Sequence, residues 1–241
     1  MKTSIATAFL YILFGPFGVF CLVWAFMFVK RAEYLSAVVA LGSAVFTLGM
    51  VAMLATVASR NVTPRVTRDG AGIMVRPDRK VDGLLMASLF GAFLAMALYA
   101  VFTPLGMVDI PVPRNDERYF VFVCAAGLLV GLFSLRQIIT QPGASYLRLT
   151  AEGIETGNTI TSAKRSWDEV TNVLDRPQKA RETSGTTYIA TADGRTRVLP
   201  SDWYTPGGHA LREFVSFYWR SPEHREELSD NRAVKRLETE S

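Results

Sequence analysis

The stretch Arg60–Gly83, RNVTPRVTRDGAGIMVRPDRKVDG, decides how this chain is organised. It lies between the second and third of four long apolar runs and carries six cations against three aspartates. The cations are Arg60, Arg65, Arg68, Arg76, Arg79 and Lys80. Because Lys and Arg collect in the short cytoplasmic loops of membrane proteins, this loop predicts which way such a protein would face.

Four apolar runs stand in pairs on either side of this loop: Ile5–Val29, Leu35–Ala58, Leu84–Phe102 and Tyr119–Leu135. Each is near or above the ~20 residues that a helix needs to cross a bilayer core. None of them contains Asp, Glu, Lys, Arg or His. Proton relays, ion pathways and coupled transporters usually need such groups inside the membrane. The uncharged runs therefore argue against a transporter or channel acting alone.

The charge is spread unevenly along the chain. Residues 1–139 hold 12 Lys and Arg against 7 Asp and Glu, whereas residues 140–241 hold 14 against 15. The basic surplus thus belongs to the half that carries the apolar runs. This favours contact with lipid headgroups and argues against nucleic acid as a partner.

The distribution of cations also predicts an orientation. Lys2, the 60–83 loop and Arg136 place cations at the N-terminus, between runs two and three, and after run four, whereas the 30–34 turn and the 103–118 loop carry two each. The positive-inside rule then puts both termini and the 60–83 loop in the cytoplasm and the 103–118 loop outside. We expect a multi-pass protein of a bacterial plasma (inner) membrane.

Small residues recur four positions apart along the last three runs. In lipid, such stripes let helices approach closely, because packing rather than water exclusion drives their association. The stripes could join the four helices to each other or to helices of a partner protein. Their members are Ser36, Ala40 and Ala44, then Ala87, Gly91 and Ala95, then Gly127 and Gly131.

A short pattern occurs twice, each time after a pair of apolar runs. Arg65–Gly70 and Arg148–Gly153 both have Arg, an apolar residue, Thr, any residue, an acid and Gly. An acid-Gly pair between β-prone segments is a tight-turn signal, since Gly accepts the positive φ of such turns. The recurrence suggests a duplicated hairpin. If the 60–83 hairpin is the same motif, its strands could extend the C-terminal sheet.

The region after residue 145 alternates like an antiparallel β domain. Turn signals at Glu152-Gly153, Trp167-Asp168 and Asp193-Gly194 separate the predicted strands, and an amphipathic helix is predicted over Gly208–Trp219. The last segment, Glu223–Leu237, has few apolar residues and could be a charged helix or a frayed tail. The predicted strands are Tyr146–Thr150, Ile154–Thr159, Ala163–Trp167, Glu169–Leu174, Thr186–Thr191 and Arg195–Leu199.

The predicted fold is an α-helical polytopic membrane protein with a cytoplasmic α+β domain of antiparallel strands closed by a helix. Its parts are a first transmembrane hairpin over 1–59, the basic β-hairpin loop over 60–83, a second transmembrane hairpin over 84–139, the cytoplasmic domain over 140–220 and the charged helix or tail over 221–241.

Residues 145–220 resemble the bacterial PH-like domains that follow transmembrane spans. The anchor of the resemblance is the segment Arg165–Val170, RSWDEV, set between hairpins and followed by a closing helix. The resemblance implies that the helix caps the sheet and that Trp167 packs beneath it. The Ala, Val and Arg-rich composition and the four runs also resemble actinobacterial membrane proteins, among them the LucB-like accessory subunits of MCE-type lipid importers.

The sequence offers no catalytic, cofactor-binding or metal-binding set. Cys21 and Cys124 lie in apolar runs, where free Cys packs as a small apolar residue. His209 opens the predicted helix and His224 lies among charges, so we expect both to be structural or exposed. The paired acids Asp168-Glu169 and Glu226-Glu227 fit a turn and a solvated face better than a catalytic dyad. We predict no enzyme, no cofactor and no metal.

Two non-enzymatic hypotheses remain. In the first, the protein is an accessory or scaffold subunit of a larger inner-membrane assembly, with other integral membrane subunits as partners and lipid transport as one setting. In the second, it senses anionic lipids through the basic 60–83 loop and the PH-like domain, at about 1 kcal/mol for each cation near the surface. The alternative to the second is that these cations only set the topology. A small transporter built from two halves is a weaker third possibility.

Overall fold

The computed structural model describes residues 5–110, 116–140, 143, 145–158, 161–176 and 185–240. The chain divides into two compact units. A helical unit comprises Met1–Ala55 and Gly83–Pro142, and a sheet unit comprises Thr56–Asp82 and Gly143–Ser241. The predicted orientation rests partly on Lys2, Arg114 and the Arg136 side chain, which lie outside the described residues.

Four helices account for the apolar runs: α1 (Ile5–Lys30), α2 (Tyr34–Ala58), α3 (Arg79–Phe102) and α4 (Glu117–Thr140). Three of them, over Thr7–Lys30, Tyr34–Ala58 and Arg79–Phe102, are long and apolar enough to cross a membrane. In these runs the backbone NH and C=O groups pair within each helix, which is what an apolar medium demands. By their length and composition, these three helices suggest a membrane protein. The α4 helix has 24 residues, and its side chains are described as far as Phe133.

The larger sheet has five antiparallel strands in the order in which they occur along the chain. The strands β1 and β2 come from the 60–83 loop, and β2 pairs with β3 through partners such as Val75 and Leu147. The 60–83 hairpin therefore joins the C-terminal sheet, as the repeated pattern suggested. The five strands are β1 (Arg65–Arg68), β2 (Gly72–Arg76), β3 (Ser145–Thr150), β4 (Gly153–Asn158) and β5 (Ser162–Ser166).

A second antiparallel sheet has three strands, β6 (Val170–Leu174), β7 (Thr187–Thr191) and β8 (Thr196–Leu199). A 3-10 turn over Trp167–Glu169 links it to β5, and the helix α5 (His209–Arg220) follows it. All six strands and the helix predicted after residue 145 lie within one residue of these bounds. The alternation of apolar and polar residues, together with the turn glycines, was a strong enough signal to predict these bounds.

One apolar core lies inside the sheet unit. The inner faces of both sheets and one face of α5 supply it, with Phe214 and Tyr218 fully buried. Trp167 is 3 % exposed and donates its indole NH to the Thr150 carbonyl at 2.9 Å. Burial of such large side chains contributes ~1.5–3 kcal/mol each. This core holds the 60–83 hairpin as firmly as the later strands, since Ile73 and Val75 are fully buried in it.

The C-terminal segment is helical and part of that core. A 3-10 segment spans Pro222–Ser229 and α6 spans Asn231–Glu240. The few apolar residues of the segment are the ones that pack: Leu228, Ala233 and Leu237 are at most 1 % exposed. A low apolar content suggested fraying, but the positions of these residues give α6 a buried stripe, which is enough to dock it.

Candidate functional site

The six cations of the 60–83 loop fall into two groups. Three are exposed and adjoin helix ends: Arg60 follows α2 by two residues, and Arg79 and Lys80 are the first residues of α3. None of these three has an ion pair among the described residues. Arg60 takes a positive φ of 57° after the end of α2, and its guanidinium lies beside Gly207. These are the cations that remain available to a ligand.

The other three cations lie on β1 and β2. Arg65 and Arg68 make contacts within the sheet unit, whereas the buried Nε of Arg76 has no hydrogen-bond partner among the described residues. Arg65 Nη2 lies 2.5 Å from Asp82 Oδ2, and its Nε donates to the Pro77 carbonyl at 2.9 Å. Arg76 stands directly opposite Arg65 across β1 and β2. Like charges in that position are destabilising, and the Asp82 carboxylate offsets the repulsion. Arg68 donates to the Ser229 carbonyl at 2.5 Å and so connects β1 to the C-terminal segment.

The two repeated hairpins are adjacent in the larger sheet and joined by charge. Arg148 lies 2.5 Å from Asp69 of the first hairpin and 3.7 Å from Glu155 of the second. Their glycines differ in role. Gly70 has the positive φ that the turn needs, whereas Gly153 lies in a strand where a Cβ would collide with the Arg165 carbonyl. The shared pattern therefore marks two hairpins but not two identical turns.

Asp78 links Thr63 to the first residues of α3, all of them within the sheet unit. Its carboxylate accepts hydrogen bonds from the Thr63 NH at 3.0 Å, the Thr63 hydroxyl at 3.1 Å and the Lys80 NH at 2.6 Å. Burial raises the pKa of the Asp78 carboxyl, but these hydrogen bonds outweigh it and hold the pKa below its usual range. The Lys80 bond caps the helix, a contribution of typically ~1 kcal/mol. The cations Arg79 and Lys80 are thus presented from a fixed backbone.

The pKa of Asp202 is shifted in the opposite direction from that of Asp78. It lies in a 3-10 turn between β8 and α5, and its side chain packs against Gly185. Burial raises the pKa of its carboxyl to about 6, against weaker lowering by backbone NH groups. The described residues give it no cationic partner. This carboxyl destabilises the fold once it ionises.

All residues of the small-residue stripes except Ala87 lie at contacts between helices. Ser36, Ala40 and Ala44 are buried on α2. Gly91 crosses Gly42 so closely that a Cβ on either would lie 2.7–2.8 Å from the other's carbonyl oxygen. Close backbone approach of this kind is what small residues allow in membrane helices.

On α3, Gly91 and Ala95 of the predicted stripe lie on the face that meets α2, but Ala87 does not. Ala87 is exposed, while its neighbour Ser88 is fully buried against Gly49 and donates to the Leu84 carbonyl at 2.7 Å. Ala95 is buried in the same face. On α4, Gly127 faces Met96 and Gly131 faces Phe93 of α3. These glycines therefore pack internally.

An apolar cleft of about 460 Å³ opens between α1, α2 and α3. Small residues on two helices make room for it: Ser43 and Thr47 on α2, and Ala92 on α3. Large side chains of α1 form the opposite wall, Phe14 among them. No small-residue pattern in the sequence pointed to this cleft, because it needs three helices in register.

A second hollow, of about 490 Å³, lies on the outer face of the three-stranded sheet. Tyr188, Ala190 and Val198 give it an apolar floor, and Arg176 and Arg195 line it as well. Val198 is 61 % exposed and is the one large apolar side chain in the exposed class among the described residues of the sheet unit. We call this surface the outer groove.

The residues considered for catalysis take part in local structure. His209 is exposed at the start of α5, 3.9 Å from Glu213. Glu227 Oε1 accepts a hydrogen bond from His224 Nδ1 at 2.9 Å, and Glu227 also pairs with Arg236 at 3.1 Å. Glu169 accepts from the Ser166 NH at 3.0 Å and closes the turn at Trp167. Within the described ranges, no three His, Cys, Asp or Glu side chains come together as a metal site.

Comparison of the chain with protein-family models, with curated proteins and with solved structures finds no match in any of the three.

Proposed function

We propose that this protein is a non-catalytic accessory or scaffold subunit of a larger inner-membrane assembly. In this proposal α1 to α4 all cross a bacterial plasma membrane, both termini are cytoplasmic, and the sheet unit is the part that partners bind. The resemblance to the LucB-like subunits makes an MCE-type lipid importer the first assembly to test.

Two features support the membrane arrangement. The exposed Arg60, Arg79 and Lys80 adjoin the ends of α2 and α3, where the positive-inside rule favours cations. Large apolar side chains of α4 are exposed on several sides, with Phe122 and Phe133 each at 71 %. Such a helix suits a lipid surround, because exposed apolar patches of this size are rare on soluble proteins.

The layout of the sheet unit supports the PH-like interpretation. Two antiparallel sheets of five and three strands are followed by α5, one face of which is buried against both. Trp167 lies in the core that they share. Folds of this kind host many activities, so the fold alone says little about function.

The observation that carries the proposal is the outer groove. Its floor combines the exposed Val198 with the partly buried Tyr188 and Ala190, and the cations Arg176 and Arg195 border it. An exposed apolar surface with a polar rim is typical of protein–protein interaction sites. Each arginine lies 3.8 Å from an aspartate of its own segment, Arg176 from Asp175 and Arg195 from Asp193. This mixed rim favours a partner segment that is mainly apolar and carries polar side chains at its edges.

The experiment is purification of the full-length protein from its own membranes in mild detergent, with two matched variants. Val198→Asp puts a carboxylate into the outer groove, whereas Thr161→Asp puts one on an exposed turn elsewhere on the sheet unit. We expect partner subunits in fixed stoichiometry with wild type and Thr161→Asp, and at least tenfold less with Val198→Asp at equal protein level. Migration of the wild-type protein as a lone species contradicts the proposal.

A second candidate function, sensing of anionic lipids, is favoured by the three exposed cations. At about 1 kcal/mol each, Arg60, Arg79 and Lys80 together would prefer an anionic over a neutral headgroup by roughly a hundredfold. Arg65 and Arg68 are poor probes of this function, because their loss would also disturb the fold.

The test compares two triple variants of the full-length protein in nanodiscs that mix phosphatidylglycerol and phosphatidylcholine. Gln at positions 60, 79 and 80 should lower the phosphatidylglycerol enrichment around the protein to the bulk value. Gln at three exposed cations elsewhere on the sheet unit, Lys164, Arg220 and Lys235, should leave it unchanged. Equal enrichment in all three proteins means that the cations only set topology.

A further inference from the structure

We propose that the cleft between α1, α2 and α3 holds one acyl chain of a membrane lipid. The inference rests on the placement of these helices in a membrane and is independent of any partner subunit. Its basis is the size of the cleft, the chemistry of its walls and the medium around the helices.

The cleft is too large to stay empty. Its volume of about 460 Å³ equals that of roughly 15 water molecules at ~30 Å³ each. The cleft is open to the surround, so the medium around the helices can enter it. An unfilled space of this size would deprive the surrounding side chains of dispersion contacts on one side.

Water is a poor occupant, because the walls offer it few hydrogen bonds. The only polar side chains in the lining, Ser43 and Thr47, already donate to carbonyls of their own helix: Ser43 Oγ to the Val39 oxygen at 3.0 Å, and Thr47 Oγ1 to the Ser43 oxygen at 2.9 Å. A buried water needs two to four polar partners. The remaining lining is aliphatic or aromatic, with Phe14 and Phe46 in contact at a ring distance of 5.8 Å.

The medium at these helices supplies an apolar occupant of suitable shape. The helices α1, α2 and α3 are each long and apolar enough to span a membrane. Residues on the open side of α1, such as Leu13 and Phe17, are about half exposed, so the cleft is accessible from the surround. An acyl chain is flexible and unbranched and fills an irregular apolar slot without leaving a polar group unpaired.

The test uses the full-length protein in nanodiscs that contain a phosphatidylcholine with a diazirine in one acyl chain. Irradiation followed by peptide mapping reports which side chains the chain touches. We expect adducts at Phe46 and Met96 of the cleft to exceed those at the outward-facing Ile12 and Phe90 by at least fivefold.

Two variants on the same helix give a matched comparison. Ala92→Phe fills the cleft and should reduce the adducts at Phe46 and Met96 at least fivefold, whereas Ala87→Phe, at an exposed position of α3, should leave them unchanged. Native mass spectrometry in detergent should show one retained lipid on wild type and Ala87→Phe, and none on Ala92→Phe.

The wild-type map keeps the proposal falsifiable even if Ala92→Phe does not fold. Equal adducts at Phe46 and Ile12, or none at Phe46, overturn the bound chain while leaving the membrane placement intact. Absence of adducts at Ile12 and Phe90 as well overturns both the bound acyl chain and the membrane placement of the helices. A dimer that Ala92→Phe dissociates, without retained lipid, would assign the cleft to a helix of a second copy and also overturn the proposal.

Discussion

The helical unit and the sheet unit sort their side chains by opposite rules. In the sheet unit the largest apolar side chains are inside, and Tyr204, Phe214 and Tyr218 are fully buried. In the helical unit small residues line the helix contacts, with Ala44 at 0 % exposure, and many large ones, such as Ile12 at 74 %, are outside, although Phe28 is buried. Water exclusion drives the first pattern. Close helix packing in an apolar medium drives the second.

The largest difference in stability should come from replacing one Phe by Ala in each unit. Phe214→Ala removes a fully buried ring from the sheet core and should lower the free energy of unfolding by about 3–5 kcal/mol. Phe122→Ala removes an exposed ring from α4 and should change it by no more than about 0.5 kcal/mol. Chemical unfolding in detergent, followed by tryptophan fluorescence, measures both. Equal losses would mean that the two units share one packing rule.

The half-buried carboxyl of Asp202 gives the sheet unit a pH-dependent stability. The pKa of Asp202 is raised to about 6, so its stabilising contribution is complete below about pH 4, near the unfolded pKa, and is lost as the pH rises through about 6. Asp202→Asn should therefore stabilise the sheet unit above pH 6, by up to about 3 kcal/mol at 1.36 kcal/mol per tenfold change in proton affinity. Unfolding at pH 4 and pH 7.5 checks the sign. A gain of the same size at pH 4 would contradict it.

Two glycines of α3 test the packing rule of the helical unit. Gly91→Ala places a Cβ 2.8 Å from the Gly42 carbonyl oxygen, and the forced separation of α2 and α3 should cost about 1–3 kcal/mol. At Gly83 a Cβ meets nothing within 4 Å, so Gly83→Ala should stabilise the helix by up to about 1 kcal/mol. Thermal unfolding in the same detergent compares them. A loss of stability in both would show that α3 is set by something other than its contact with α2.

Much of this architecture could be predicted because its signals are local. Long uncharged runs set the helices, and turn glycines with period-two alternation set the strands after residue 145 to within one residue. Even the association of the 60–83 hairpin with the later sheet was suggested by six shared positions. The two hairpins fold side by side, and Arg148 pairs with Asp69 across them.

The parts that escaped prediction depend on contacts between distant segments. The sequence predicted Ala87 as a contact residue of α3, but the structure has Ser88 there. The two positions differ by about 100° around the helix, and only the position of α2 determines which of them is buried. Arg65 and Arg79 look alike in the sequence, yet Arg65 is paired with Asp82 and Arg79 is exposed. The cleft and the outer groove each require several elements in register, which no local pattern records.

The comparison of the two units depends on the proposed topology, in which lipid surrounds the helical unit and the sheet unit lies in the cytoplasm. Single cysteines in a chain without Cys21 and Cys124 test this most directly, by reaction with a membrane-impermeant maleimide on intact cells. We predict that Leu105→Cys, in the 103–118 loop, is labelled on intact cells and that Thr161→Cys, in the sheet unit, is labelled only after the cells are opened. Labelling of Thr161→Cys on intact cells, with Leu105→Cys protected, would contradict the proposed topology.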